Sequence, residues 1–555
     1  MHKIIKKTIK YTACGIGVLL LAIILFVSIL YFSADMLTPD YTPKANGELV
    51  QTDSLREYAG NYLRQSNSGL WELKVSGDAF QRGEAIGKLS SDLLYYQEKV
   101  FVDQIREIVP SDNYLKFLRF FIVLFNRNLG KNVPEEFRDE IYGISLSCTH
   151  EYDFIGTPYE RQLNYHSAHD LGHAMQDYML VGCSSFATWG ENSADSSLII
   201  GRNFDFYMGD KFAHNKLVSF YQPEQGYKFA SVGWPGMIGV LSGMNETGLT
   251  VTINAAKSDM PTASATPISI LTREILQYAS TIDEAYAIAL KRKTFVSESI
   301  LIGSARDGRA AIIEKSPEKT ALFTSGGNQI ICTNHYQSET FRNDERNKEN
   351  IATSDSPYRF ARLQELLKEN NPIDPMKAAS ILRNQKGLDN IDLGMGNEMA
   401  INQLIAHHSV IFLPEKQIMY VSTSPWQCGK YMAYDLNKIF SDTIDFHHEI
   451  ATLNLTIPED NFIRQASYKQ FMAYKQLTKL IREKIQRKET IETKVLNLYE
   501  ASNPSFYYVY EVLGDYYAAI QQTDIAITYW QKALTMPIPK QAEKVRIQQK
   551  INKNQ

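Results

Sequence analysis

The chain has 555 residues, 44% of them hydrophobic and 22% charged, with a formal net charge of −4. That length exceeds one ordinary domain and can bury a large core. The near-neutral balance excludes the global basic field that holds nucleic acid, so no nucleic-acid partner is expected.

Taken in chain order, the first signal is Tyr11 to Phe32, a stretch without a charged residue. Such a run can cross a bilayer core of about 30 Å. Lys3, Lys6, Lys7 and Lys10 precede it, and Asp35 and Asp40 follow. The positive-inside rule predicts a single-pass membrane anchor with a cytoplasmic N-terminus and an extracytoplasmic remainder, periplasmic in a Gram-negative cell. A cleaved signal peptide is the rival, but Phe32 ahead of Ser33-Ala34 spoils a small-x-small cleavage site. Cys14 opens the apolar run rather than following it, which argues against lipidation.

Residues 1–34 are thus read as tip and anchor, and 35–68, with Pro39, Pro43, Gly47 and Gly60, as a linker. Residues 69–182 carry a mostly helical pattern. Within them Leu115 to Leu129 is strongly apolar, and its interior Arg119 favours a buried helix over a second span. Residues 183–450 change texture. Short apolar runs at 198–200, 229–232, 249–253, 299–303, 310–314, 329–332, 409–413 and 418–422 are separated by Gly, Asn and Asp, as strands and turns require. Helical segments fall at about 267–292, 356–369 and 375–384. Runs of strands with clustered helices predict a layered α+β domain. Residues 451–555 are helical again. Tyr510, Leu513, Gly514, Tyr517, Ala526, Trp530 and Ala533 fall at the spacings of one tetratricopeptide repeat. A single repeat cannot bury its own face, so a terminal helical pair packed on the preceding helices is expected. A protein partner at these C-terminal helices is a further reading.

The chain has five cysteines, Cys14, Cys148, Cys183, Cys332 and Cys428, with no CxxC spacing and no disulfide framework. Buried structural thiols are the simple reading for Cys148, Cys332 and Cys428. Cys183 is different. Gly182-Cys183-Ser184-Ser185 is followed after a hairpin-length gap by Gly201-Arg202-Asn203-Phe204-Asp205-Phe206. A thiol that becomes a new N-terminus by self-cleavage has a nucleophile and, in its own α-amine, a base of pKa about 8. Gly182 has no Cβ, which lets the Cys183 thiol reach back to its carbonyl.

Arg202 and Asp205 lie three apart and face opposite sides of an ideal strand, so both serve one site only across a turn or bulge. Asn254 and Asn334 end strands, where a side-chain amide can donate to an oxyanion; the simpler reading is a turn residue. Arg359 opens a helix within Ser356-Pro357-Tyr358-Arg359-Phe360. His166, His169 and His173 share a helix face with Asp170, a conceivable zinc site whose simpler reading is a polar helix face. His407-His408 and His447-His448 are read as surface or turn residues. No metal and no cofactor is expected. Phe186, Trp189, Phe204, Phe206, Tyr207 and Trp234 offer apolar surface for an acyl pocket, though such residues commonly just build a core.

These pieces, with Gly77 through Gly87, Pro134-Glu135-Glu136-Phe137, Asn245-Glu246-Thr247-Gly248 and Glu314-Lys315-Ser316-Pro317, resemble the acyl-CoA:6-aminopenicillanic acid (isopenicillin N) acyltransferase family of cysteine N-terminal nucleophile (Ntn) hydrolases. They are similar more distantly to the choloylglycine hydrolase and acid ceramidase group. The resemblance covers about residues 70–430. It implies an αββα sandwich, self-cleavage between Gly182 and Cys183, and acyl chemistry on a small-molecule linear N-acyl amide. It also implies roles: Cys183 as nucleophile, Arg202 and Asp205 tuning its amine and thiol, Asn254 and Asn334 as oxyanion and amine contacts, and Arg359 as a supporting Arg. The expected architecture is therefore an α+β Ntn-type sandwich flanked by an N-terminal membrane helix, a helical prosegment and a single-repeat C-terminal region. An extracytoplasmic domain lacks an obvious acyl-CoA supply, so hydrolysis or transfer between amides fits better than transfer from CoA. Two rivals stand beside this: a catalytically inactive binding protein on the same fold, and a papain-like peptidase pairing Cys183 with His335.

Overall fold

The apolar runs of the central region are strands covered on both faces, which is why they read as unbroken hydrophobic stretches. In the computed structural model, which describes residues 11, 15–18, 21, 22, 24–31, 34, 36, 38–41, 47–52, 54–108, 111–174, 180–258, 265–441 and 444–555, they build two main sheets. The larger has eleven strands. Their spatial order is Val50–Gln51, Leu55–Tyr58, Asn61–Gln65, Trp71–Gly77, Leu217–Pro223, Phe229–Gly233, Ser242–Asn245, Leu249–Ala255, Glu298–Ser304, Arg309–Lys315 and Thr320–Phe323. The smaller has six, in the order Gln329–Cys332, Ser184–Gly190, Ser196–Phe204, His408–Leu413, Ile418–Ser422 and Tyr431–Asp435. Trp71–Gly77 runs parallel to Leu217–Pro223.

The two-residue period of a strand sorts its side chains between layers. Leu198 and Ile200 face the larger sheet, packing with Val218, Phe220, Leu301 and Ile312. Ile199, between them, points the other way onto Leu363, Leu367 and Ile381 of the helices Ser356–Glu369 and Pro375–Leu382. The outer face of the larger sheet is covered by the helices Ala79–Leu89, Glu135–Ser145, Ile268–Tyr278 and Ile282–Lys291, whose Ile86, Ile141 and Ile275 share a core with Val75, Val251 and Ile302. Four layers result, in the order α, β, β, α.

A buried ionic centre pins the helical layer. Glu140, fully buried, accepts from Arg82 at 2.7 Å and from Arg273 at 3.1 Å. Burial alone would raise its pKa, but the Arg273 and Arg82 guanidiniums overcome this and hold it below the usual value.

Several expectations are corrected. Residues 50–65, read as part of a linker, form three strands of the larger sheet; their brevity and the Ala59-Gly60 turn, both at positive φ, hid them. The region 69–182 contributes the strand Trp71–Gly77 as well as helices, so it is not a separate helical unit. The helix Asp112–Phe125 exists, but Phe117 and Phe121 are half exposed rather than buried. Among the described residues no helix is long and apolar enough to cross a membrane. The expected span Tyr11–Phe32 falls partly outside them, at 12–14, 19, 20, 23 and 32, and its described positions 11, 15–18, 21, 22 and 24–31 are helical.

The C-terminal helices Ala466–Arg487, Thr493–Ser502, Tyr507–Ala519, Thr523–Leu534 and Gln541–Asn554 form their own core. The repeat-like residues lie on the pair Tyr507–Ala519 and Thr523–Leu534, where the Trp530 ring sits against Gly514 and its Nε1 donates to Asp515 at 3.0 Å. Leu404 and Cys428, from the layered region, belong to the same core, so the helices are packed on it rather than standing free.

Candidate active site

Cys183 lies between the two-residue strand Leu180–Val181 and the strand Ser184–Gly190. The first pairs with Phe206–Tyr207 and the second with Ser196–Phe204, so the chain on either side of Cys183 runs beside the Arg202–Tyr207 stretch. Ser185 is opposite Arg202, and the Gly182 amide donates to the Asp205 carbonyl at 3.1 Å. The strand ends at Phe204 and resumes at Phe206, and this break at Asp205 resolves the facing problem of a three-residue spacing. Arg202 and Asp205 both act electrostatically on Cys183.

Arg202 is fully buried. Its guanidinium donates to the Leu241 carbonyl at 3.1 Å, the Ile253 carbonyl at 2.5 Å, the Ser242 hydroxyl, and the Cys183 Sγ at 3.8 Å. Arg359, in the first turn of Ser356–Glu369, is likewise buried. It donates to the Cys183 carbonyl at 2.6 Å, to Ser184 Oγ at 3.0 Å and to Asn334 Oδ1 at 2.7 Å, and pairs with Asp355 at 2.7 Å. Asn334 Nδ2 donates to the Ala255 carbonyl at 2.9 Å. Asn254 accepts from Ser185 Oγ at 2.7 Å and donates to the Cys332 carbonyl at 3.0 Å. Of the expected residues, Arg202, Asp205 and Arg359 meet the Gly182-Cys183 junction directly; Asn334 joins through Arg359, and Asn254 stands against Ser185, two residues after Cys183.

The site is buried, and its titrations follow from that. Burial pushes the Cys183 thiol up to about 11; Arg202 opposes the rise, while Asp205 and Glu298 add to it. Burial likewise pushes Asp205 up to about 8 against the pull of Arg359 and Arg202. Both Asp205 carboxylate oxygens are buried without a hydrogen-bond partner among the described residues. A buried carboxylate in that condition is costly unless neutralised or paired.

Three residues at the site were not anticipated. His407 and His408, read from sequence as surface or turn residues, are fully buried, because the strand His408–Leu413 is interior to the smaller sheet. His408 Nε2 stands 2.8 Å from Ser242 Oγ and 3.3 Å from an Arg202 nitrogen. Burial, with Arg202 nearby, lowers both imidazole pKa values, so the pair is neutral. Gln403 donates from Nε2 to the Gly182 carbonyl at 3.0 Å. Sitting beside Asn402 in Ile401-Asn402-Gln403-Leu404, it carried no sequence signal that set it apart. His447 and His448 are exposed.

His335 engages Ser356 Oγ at 2.8 Å and Thr333 Oγ1 at 3.2 Å, rather than the thiol. His166 is buried, with Nδ1 on the Gln162 carbonyl at 2.7 Å and Nε2 accepting from the Ile238 amide at 3.0 Å. The side chains of His169, Asp170 and His173 lie outside the described residues. Of the six apolar candidates, Phe206 and Trp234 stack at 5.9 Å and line one small cavity with Phe101, Phe212 and Met237. Phe204 lies 4.4 Å under the Arg202 guanidinium, Phe186 packs into the helix-side core, and Trp189 packs against the core between the sheets. Tyr207 lines a cleft of about 630 Å³ that also reaches Gln403 and the C-terminal helices.

Comparison with known proteins places this site in context. Residues 190–402 match the family model described as acyl-coenzyme A:6-aminopenicillanic acid acyl-transferase. Cys183 lies just ahead of that segment, and the other five residues lie within it. An uncharacterized protein of Archaeoglobus fulgidus is 24% identical over 277 residues, which are 47% of this chain and 46% of that one. Protein dcd1B of Dictyostelium discoideum is 23% identical over 271 residues, 45% of this chain and 51% of its own. The chain thus spans about half the length of these curated relatives. Among solved structures, a Caenorhabditis elegans N-acylethanolamine-hydrolyzing acid amidase ortholog overlaps 42% of this chain and 93% of its own, at 14% identity and a TM-score of 0.31. Penicillin V acylase from Agrobacterium tumefaciens overlaps 46% of this chain and 87% of its own, at 16% identity and a TM-score of 0.31. Through residues 190–402, this chain resembles the acyl-coenzyme A:6-aminopenicillanic acid acyl-transferase family.

Proposed function

We propose that this chain is a self-cleaving cysteine Ntn hydrolase that breaks, or transfers the acyl group of, linear N-acyl amides through a thioester on Cys183. One observation carries the reading: a buried Gly182-Cys183 junction with Arg202 on the thiol, Arg359 on the Cys183 carbonyl, and an unpartnered Asp205 carboxylate beside them. Cleavage would free the Cys183 amine next to Asp205. Protonated, the amine satisfies that carboxylate; neutral, it takes the thiol proton as Sγ attacks the substrate carbonyl. Each Asn side-chain nitrogen carries two hydrogens. Asn254 and Asn334 each commit one to a backbone carbonyl, which leaves one for the oxyanion. The cavity at Phe206 and Trp234 suits an apolar acyl group.

The test is the intact mass and N-terminal sequence of wild type and Cys183→Ala. Wild type is expected to split into two chains, the second beginning at Cys183, while the variant stays whole. A wild type that stays whole sinks the reading. The two halves are expected to co-elute under native conditions, because residues 50–77 supply four strands of the larger sheet and the Arg82–Glu140–Arg273 centre spans the cut.

The same reading includes attachment to a membrane. Ile16, Val18, Leu21, Ile24, Leu25, Phe26 and Ile29 are exposed on the N-terminal helical segment. Tyr31 stacks on Phe120 at 5.3 Å, beside the exposed Phe117 and Phe121. A patch of that kind favours an apolar surface. The full chain is expected in the membrane fraction and to resist alkaline carbonate, and a chain lacking residues 1–34 to lose that resistance. Equal partitioning of the two would remove the anchor from the proposal.

A further inference from the structure

Gln403 is fully buried, and its amide covers the carbonyl of the bond to be cut. Its Nε2 donates to the Gly182 oxygen at 3.0 Å. The approach is close: a Cβ on residue 182 would fall 2.6 Å from that nitrogen and 3.0 Å from Oε1. A side chain at 182 would therefore push the Gln403 amide off this carbonyl.

The loop that carries Gln403 is fixed on both sides. The Asn402 amide donates to the Asn384 carbonyl at 2.8 Å, and Asn402 Oδ1 accepts from the Leu404 amide at 3.0 Å. The Ile401 carbonyl accepts from Asn203 Nδ2 at 3.0 Å, tying the loop to the strand of Arg202. Leu404 is held at φ 55°, a conformation a branched side chain adopts only under constraint, and its side chain is buried in the core of the C-terminal helices. A donor held this way is set before the reaction begins, which is what oxyanion stabilisation needs.

The geometry points to Gln403 as the group that stabilises the oxyanion of self-cleavage, with the C-terminal helices clamping the loop that presents it. This rests on the self-cleavage reading above and assigns it a residue. Sγ of Cys183 bonds to the Gly182 carbonyl carbon, and the carbonyl π pair moves onto the oxygen facing Gln403 Nε2. Collapse breaks the bond to the Cys183 nitrogen, which ends with the thiol's proton. The products are a thioester and a free α-amine. Water then hydrolyses the thioester, leaving a Gly182 carboxylate and the Cys183 thiol.

The experiment follows splitting of the full chain over time by denaturing mass analysis, in wild type, Gln403→Met and Gln403→Glu, with thermal melting of each. Methionine keeps the size and removes the donor; glutamate puts a carboxylate where the oxyanion forms. Splitting is expected to slow about 10²–10³-fold in Gln403→Met and at least as much in Gln403→Glu, with wild-type melting. Splitting at the wild-type rate in either variant overturns the assignment. Loss of cooperative melting in both overturns it too, assigning Gln403 to packing alone. A wild type that never splits is a different failure, since it removes the proposed function itself.

Discussion

An Asp205→Asn enzyme is expected to turn over N-acyl amides about 10²- to 10⁴-fold more slowly than wild type, the range for losing a group that manages proton transfer. The substitution preserves shape and removes only charge. Asp205 is fully buried and faces the Arg202 and Arg359 guanidiniums. Its carboxylate is the natural partner of a freed Cys183 ammonium, and without it the amine loses both its orientation and its charge balance.

The same group yields a stability test on the uncleaved chain. In a Cys183→Ala background the folded state holds Asp205 protonated up to about pH 8, whereas the unfolded chain releases that proton near 3.8. The folded pKa is raised, so the acid binds more protons folded than unfolded. The Asp205 contribution to stability is therefore most favourable below about pH 4 and falls as pH rises toward 8. At 1.36 kcal/mol per unit the upper bound is on the order of 5 kcal/mol. Urea midpoints at pH 5 and pH 8.5 are expected to show most of this loss in Cys183→Ala, and a much smaller one when Asp205→Asn is added. Equal slopes in the two chains would remove the buried, unpaired carboxylate from the account.

Glu140→Ala is expected to cost about 3–5 kcal/mol, read from urea unfolding, because it leaves two buried guanidiniums without their shared anion. Arg273 retains the Ile238 carbonyl at 2.9 Å and the faces of Tyr221 and Phe229, but none of these carries charge. Burial raises the Glu140 pKa and the two arginines more than reverse it, so the folded value is depressed. Its stabilisation is present above the unfolded carboxylate range and is lost as pH falls through the folded value. The gap between wild type and Glu140→Ala is thus expected to narrow in acid. A gap that stays constant down to pH 3 would point to packing rather than charge.

What the sequence by itself determined is local. The apolar runs predicted the strands from Leu198–Ile200 to Ile418–Ser422, and the breaks between them held, because a strand buried on both faces needs an unbroken run and a turn needs Gly, Asn or Asp. The helix 356–369 and the C-terminal pair were legible for the same reason: their period is written in adjacent residues. The six site candidates could be named from local motifs in chain order, Gly182-Cys183, Gly201–Phe206, the strand ends at Asn254 and Asn334 and the helix start at Arg359, and from the family resemblance they carry. Contacts made by distant segments were not legible. The apolar run 409–413 predicted a strand, but that the strand begins at His408 and lies inside the sheet, burying His407 and His408, depends on its pairing with Ser196–Phe204. Nothing near Gln403 signals that it meets Gly182, across 221 positions of chain. The short strands at 50–65 gave no periodic signal, and only pairing with Trp71–Gly77 makes them part of the sheet. Tertiary structure alone decided that Arg202 and Asp205 share a site, since the break at Asp205 follows from pairing with the segment before Cys183. It also placed the segments on either side of the Gly182-Cys183 bond in one sheet and around one ionic centre, because burial and charge pairing act through space.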